Sequence, residues 1–164
     1  MPTLHFGPID SGPLILRAVT ATDLPIFYEQ QLDPEATRMA AFPSREREAF
    51  MAHWGRILLN PTGTVRAIVF EEQVAGYMVS WNQDGTQELG YWLGAAFWGK
   101  GIATQALWAF LEIVPTRPLY AHVAKHNIGS LRVLQKCGFV IDHEEIDSPD
   151  DKGEPFQSIV LKLG

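Results

Sequence analysis

Between Thr86 and Ala124 the chain changes its hydrophobic period twice, and that change limits the folds open to it more than any other feature. Thr86 to about Gly94 reads as a strand, Trp98 to Gly101 is a glycine-containing turn, and a strong helical pattern then begins at Ile102. Ile102, Ala106, Phe110 and Val114 form one row and Ala103, Leu107 and Leu111 the adjacent one, until Pro115 and Pro118 stop the helix. Leu119 to Ala124 is again a strand. Strand, helix, strand is a βαβ unit, and its helix must cover one face of a sheet that holds both strands.

The remaining segments fit around that unit. Pro13 to Val19 reads as a first strand after a Gly- and Pro-containing lead, residues 1–12, expected to be flexible. Thr20 or Thr22 caps a helix from Asp23, with Leu24, Phe27, Tyr28 and Leu32 at helical spacing, and Ala36 to Ala41 continues as a short second helix. Past Pro43, Ser44 with Arg45 to Glu48 opens a helix whose stripe is Phe50, Met51, Trp54, Ile57 and Leu58. Thr64 to Phe70 and Val74 to Trp81 form a hairpin about Glu71 to Gln73, and the strand from Thr86 follows the turn Asn82 to Gly85. Asn127 caps a helix to Lys136 that Gly138 ends, and the strands Phe139 to Ile146 and Phe156 to Leu163 flank a solvated turn, Asp147 to Pro155. The expected class is α/β with α+β character: one mixed sheet of about six or seven strands flanked by helices, in a single domain over residues 1–164.

Charge and cysteine content remove several function classes. Thirteen Lys plus Arg against 19 Asp plus Glu give a net charge of −6, so a phosphate backbone is repelled and no nucleic-acid partner is expected. The lone cysteine, Cys137, cannot form an intramolecular disulfide, which argues against a stapled secreted scaffold. Met1 to Asp10 has no basic start followed by an apolar core. The apolar stretch Ala106 to Val114 is interrupted by Glu112 and falls short of the roughly 20 residues a spanning helix needs. A cytoplasmic chain with no membrane partner is the expectation.

Trp98-Gly99-Lys100-Gly101-Ile102-Ala103-Thr104 lies where a strand ends and a helix begins, so its backbone N–H groups have no intrahelical partners. An anion suits that position. Glycines permit close approach, the helix dipole adds partial positive charge and Lys100 a full one. The same residues also serve as a plain tight turn. A dinucleotide fingerprint would need a third Gly or Ala where Thr104 stands and an acidic residue closing the next strand, which ends in Lys125; a Walker loop would need Gly-Lys-Ser or Gly-Lys-Thr.

Three segments in order, Glu88-Leu-Gly-Tyr-Trp-Leu93, the turn Trp98 to Thr104, and Asn127-Ile-Gly-Ser130 through Lys136-Cys-Gly-Phe139, resemble the GNAT superfamily of acyl-CoA-dependent N-acyltransferases. The likeness is closest to the branch of ribosomal-protein-alanine-type N-terminal acetyltransferases, covers essentially the whole chain and is most specific from Glu88 to Phe139. It implies an enzyme that uses acetyl-CoA as cosubstrate and no metal. The acetyl group would pass to a primary amine, either a protein N-terminus or a small molecule, by direct attack in a ternary complex. A non-catalytic acyl-CoA-binding module or sensor of the same fold is the alternative. The family's phosphate turn is Gln or Arg, two residues, Gly, one residue, then Gly or Ala; Gly101 and Ala103 match, and Trp98 takes the first place as it does in that branch. By this resemblance the amides of Gly99, Lys100, Gly101, Ile102, Ala103 and Thr104 hold the coenzyme diphosphate. Main-chain groups near Leu93 pair with the pantetheine arm like an added strand, and the thioester lies in a splay between the strands ending near Leu93 and Ala124. Asn127 caps its helix, touches the coenzyme, or does both.

Acetyl transfer to an amine needs a neutral nucleophile, a donor for the thioester oxyanion and a proton for the departing thiolate. The resemblance makes Glu88 the base, acting through water; a solvated edge-strand carboxylate is the plainer reading. A main-chain amide at Leu93 or Gly94 would serve the oxyanion. The tyrosine that many members use as acid falls at Leu134, so Ser130, one helical turn upstream, takes its place, unless it merely bonds back to its helix. Cys137, next to Gly138, reads as a packing residue. His122 and His126 are four apart but straddle a strand end and a cap, so they need not converge and no metal site follows; His5, His53 and His143 read as surface or packing groups. The acceptor side falls to the two early helices, the hairpin and the last strand pair, with Phe27, Tyr28, Phe42, Trp54, Trp81 and Tyr91 as aromatic candidates for its walls. Glu29, Asp33 and Glu35 suit a cationic amine or a solvated helix face. The exposed strands are candidates to pair two chains into a homodimer.

Overall fold

In the computed structural model, residues 9–11, 13–147 and 155–164 are described. The first half gives β1 (Ile9–Ser11), β2 (Leu14–Arg17), α1 (Leu24–Gln31), α2 (Pro34–Ala40), α3 (Arg47–Leu59), β3 (Thr64–Phe70), β4 (Gln73–Gln83) and β5 (Thr86–Leu93). The second half gives α4 (Ile102–Ile113), β6 (Leu119–Ala124), α5 (Ile128–Lys136), β7 (Val140–Asp147) and β8 (Phe156–Leu163). The eight strands form one sheet in the order β1-β2-β3-β4-β5-β6-β8-β7. That is one strand more than the sequence pattern suggests, because Ile9–Ser11 pairs antiparallel with Leu14–Arg17. The turn expected over Asp147 to Pro155 falls almost wholly outside the described residues. No helix among the described residues is long and apolar enough to cross a membrane.

The βαβ unit is present, with β5 and β6 as the one parallel pair among the described residues and α4 as its crossover. Ile102, Ala106, Leu107 and Phe110 of α4 sink into a core shared with Leu134 of α5 and with Leu14, Met78, Leu119 and Leu161 of the sheet. The opposite face carries a separate aromatic cluster. Phe27 of α1 and Trp54 of α3 sit 5.1 Å apart at their ring centres, and Trp54 meets Tyr77 edge-on at 4.7 Å. These two rings are core, not acceptor wall. Arg17 fixes the entry to α1 through two hydrogen bonds, of 2.7 and 2.9 Å, to the buried Asp23 carboxylate. Burial alone would raise the pKa of Asp23, but Arg17 and the Thr20 amide hold it below the ordinary carboxylate value.

Gly138 ends α5 as its position suggests. At φ +95° its N–H reaches the Gln135 carbonyl and the N–H of Phe139 reaches that of Leu134, the paired closure that a left-handed residue allows. The chain then runs along the edge as β7 before β8 returns between β7 and β6.

The parallel pairing of β5 with β6 covers three positions only, from Gln87↔Leu119 to Leu89↔Ala121. Beyond them β5 continues to Leu93 and β6 to Ala124 unpaired with each other, so the sheet opens into a wedge at its carboxyl end.

Candidate active site

The wedge and the turn after it meet in one cleft of about 480 Å³. Its walls are Tyr91 to Leu93 of β5, the turn residues Trp98, Gly99 and Gly101, Ile102 to Thr104 of α4, and residues of α2 and α5. Gly99 and Gly101 both take φ of +75°, which glycine adopts without the Cβ penalty. Gly101 is the N-cap of α4, and the first intrahelical bond of that helix runs from the Gln105 N–H to the Gly101 carbonyl. The amides at the start of the helix therefore point outward, and the positive end of the helix dipole opens into the cleft. Gly99, Gly101, Ala103 and Thr104 lie on its wall; Ile102 contributes backbone there while its side chain is in the core. Lys100 is exposed and does not line the wall.

Trp98 has a definite task. Its indole Nε1 donates to the Leu93 carbonyl at 2.9 Å, tying the turn back to the end of β5. A Gln or Arg there would not supply the same flat wall.

The expectation for the oxyanion donor splits. In the β4/β5 hairpin the closing pair is Gln83↔Thr86, and alternate pairs exchange hydrogen bonds from there. Gly94 accordingly directs its N–H to the Ala75 carbonyl at 2.8 Å, on the β4 side. The Gly94 N–H is thus committed to β4, while the N–H of Leu93 faces the wedge by the same alternation.

Ser130 does not bond back to its helix. Its Oγ lies 2.6 Å from the Tyr91 hydroxyl, and its N–H reaches the Asn127 carboxamide oxygen at 3.2 Å. Asn127 therefore caps α5 and lines the cleft as well. Burial pushes the Tyr91 phenol up to about 12, so it stays protonated near neutral pH. Tyr91 was expected on the acceptor wall; strand alternation puts it on the α5 face instead, three residues and one face away from Glu88. Leu134 is fully buried, which accounts for an apolar residue at that position.

Glu88 and Ser130 are consequently not brought together but stand on opposite faces of the sheet, with the wedge between them. The Glu88 side chain is only 14% exposed, and its Oε2 has no hydrogen-bond partner among the described residues. Burial raises its pKa, the nearby His122 partly offsets that, and Glu145 adds to the rise. Trp81 leans over Gly90 on the same face, with ring carbon Cζ3 at 3.4 Å from where a Cβ would sit, and remains a candidate wall for an acceptor.

Several expected features serve other ends. Asp33 accepts from the Glu35 and Ala36 amides at 2.9 and 3.1 Å as the cap of α2, and Glu35 pairs with Arg38. Both carboxylates are occupied locally. Tyr28 packs against Phe50, while Phe42 and Glu29 are exposed. His122 and His126 do diverge, His126 bonding the Arg38 carbonyl at 2.7 Å. Cys137 is buried, and that burial pushes its thiol up to about 11, which leaves little thiolate near neutral pH.

Sequence reasoning named Tyr91 and His122 but not their contacts with Ser130, Glu88 and Glu145, which join elements that no local pattern connects. It missed Arg132 and Lys136, which also line the cleft, and here a signal existed: Gly129, Arg132, Val133 and Lys136 recur at helical spacing, on the face of α5 away from buried Leu131 and Leu134.

The model of the acetyltransferase (GNAT) domain matches residues 13–140. No curated protein matches the sequence. Among solved structures, the chain is similar to the spermidine N-acetyltransferase from Vibrio cholerae in complex with CoA and spermine, at 16% identity and a TM-score of 0.78 over 92% of this chain and 95% of that one. It is similar to RimL, the ribosomal L7/L12 alpha-N-protein acetyltransferase in complex with coenzyme A, at 20% identity and 0.77 over 93% and 94%. It is also similar to the microcin C7 self immunity acetyltransferase in complex with acetyl-CoA and AMP, at 16% and 0.76 over 93% and 92%. At such identities the likeness is one of fold.

Proposed function

The chain belongs to the GNAT acetyltransferase family, and we propose on that premise that it moves the acetyl group of acetyl-CoA to a primary amine, by direct attack in a ternary complex. One observation carries this reading: outward-pointing amides at the head of α4 open on a cleft that reaches the β5/β6 wedge, and a largely shielded carboxylate, Glu88, stands on the far side of that wedge.

In this scheme the amides from Gly99 to Thr104 hold the diphosphate, with Arg132 and Lys136 adding positive charge beside them. The pantetheine arm lies along β5, where the N–H of Leu93 faces the wedge and stabilises the oxyanion as the amine adds. Glu88 takes a proton from the amine, through water. Ser130, hydrogen-bonded to Tyr91, gives a proton to the departing thiolate. Cys137 stands apart from the reaction, buried and with its thiol held protonated, which favours direct attack over a covalent enzyme intermediate. The acceptor is a protein N-terminus or a small-molecule amine, and Trp98 and Ser130 are the residues that favour the ribosomal-protein-type branch.

Thiol release from acetyl-CoA across peptides, polyamines, amino acids and aminoglycosides tests the reading. Amine-dependent release is expected with at least one class. Acetyl-CoA binding with no release from any of them would instead support an acyl-CoA-binding module without turnover.

A further inference from the structure

The transfer scheme leaves one group beside Glu88 unused. Glu88 is in register with Tyr120 across the parallel pair, and His122, two residues further along β6, rises on the same face. Its Nε2 lies 3.4 Å from Glu88 Oε2 and its Nδ1 lies 3.0 Å from Glu145 Oε1. Side-chain exposure rises from 14% at Glu88 to 42% at His122, and Glu145 beyond it is 35% exposed. The three side chains thus lead from the wedge to solvent.

The surroundings are specified from every strand that packs there. Val160 of β8, directly across from His122, carries no charge. Lys162 of β8 lies over the Tyr120 ring at 6.0 Å. On β7, Asp147 offers an oxygen within 4.8 Å of the His122 and Glu145 ligand atoms, and His143 is held between Asp142 and Glu145 at 2.6 and 3.2 Å. When the ring carries its proton on Nδ1, beside the Glu145 carboxylate, its Nε2 lone pair is free to take a proton from Glu88. Glu88 Oε2 lies within ion-pair distance of Nε2 but has no hydrogen-bond partner among the described residues. Once Glu88 is protonated, its O–H can donate to Nε2.

We propose that His122 is a positioning and proton-relay residue for Glu88, taking at Nε2 the proton that Glu88 removes from the amine and releasing another from Nδ1 through Glu145 to water. This rests on the acetyl-transfer reading of Glu88. An N–H bond of the amine breaks as the Glu88 O–H forms; that O–H breaks as Nε2–H forms, giving an imidazolium. The imidazolium then loses its Nδ1 proton to Glu145 and water, and exchange at the solvent-exposed ring restores the starting tautomer. One proton has moved from amine to solvent, with no redox change.

The test uses the full chain, acetyl-CoA and the best amine from the acceptor panel. His122→Ala should lower kcat about 10- to 100-fold, leave KM for acetyl-CoA within about two-fold, and regain rate when imidazole is added. Glu145→Gln, at a half-exposed position that tolerates change, should lower kcat by less and shift the pH profile in the same sense, and it keeps the test open should His122→Ala fail to fold. In a Glu88→Gln background, His122→Ala should cost nothing further, because both residues serve one proton path. An unchanged kcat in both single variants, an undiminished loss in the double variant, or absence of imidazole rescue would overturn the relay. EDTA should leave the wild-type rate unchanged; a loss that zinc restores would make His122 and Glu145 metal ligands and also overturn it. Full activity in Glu88→Gln would instead sink the base itself, so the two failures are distinguishable.

Discussion

Replacing Glu88 with Gln is expected to lower kcat by roughly 10²–10⁴-fold while leaving acetyl-CoA affinity within about two-fold of the parent. Gln keeps the size and one oxygen of the side chain but cannot accept the proton. The coenzyme cradle lies on the other face of the sheet and should not respond. Burial holds the pKa of Glu88 above the ordinary carboxylate value, so the acid limb of kcat/KM should lie higher than for a free glutamate and should vanish in the variant. Stability provides an internal control. A carboxyl group whose pKa is raised by folding contributes stability below its unfolded pKa and loses it as pH rises through the folded one. At neutral pH the partly desolvated charge is therefore a burden, and Glu88→Gln should melt at the same temperature or higher. A variant that is both inactive and unstable would place Glu88 in the packing and not in the chemistry.

Gly76→Ala should be the most damaging substitution for the fold near the site. A Cβ on Gly76 would lie 2.0 Å from the Trp92 carbonyl oxygen and 3.0 Å from the Leu93 Cα, both backbone atoms of β5. Neither can swing aside, so the β4/β5 pair must part at the end of β5, beside the cleft. A cost of about 3 kcal/mol or more is expected, or about 6–12 °C in Tm for a chain of this size. Acetyl-CoA binding should weaken too, since Leu93 would be displaced. Gly94→Ala is the matched comparison. Its Cβ would meet the end of the Gln30 side chain at 3.0 Å, a group able to move, so the loss should be clearly smaller. Equal Tm values for the two variants would refute the assignment of the strain to backbone.

The contrast between these two glycines also shows where the sequence is legible. Gly138 at the end of α5 and the glycines before α4 stand at helix ends, where a local pattern is enough to assign them. Gly76 sits in the middle of a strand, and only the register with β5 reveals why it must be small. The βαβ unit could be read because a change from strand to helical period is a local signal. The insertion of β8 between β6 and β7 could not, because strand order depends on which edges meet after folding. That insertion matters for the site: it sets the register of β7 that brings Glu145 to His122. The choice between Leu93 and Gly94 differs in kind, since the two-residue turn at Asp84 and Gly85 fixes, by alternation, which amides face β4. The Tyr91–Ser130 bond was hidden for another reason. A tyrosine in an apolar strand reads as packing until a helix from elsewhere presents a hydroxyl to it.

Calorimetric titration of acetyl-CoA alongside acetyl-pantetheine, which has the same arm and thioester but no nucleotide diphosphate, addresses the amide cradle most directly. Hydrogen bonds to charged groups contribute about 1.5–3 kcal/mol each, so two of them predict at least about 100-fold tighter binding of acetyl-CoA. Equal affinity for the two compounds, or no binding of acetyl-CoA, would contradict a diphosphate seat at the head of α4.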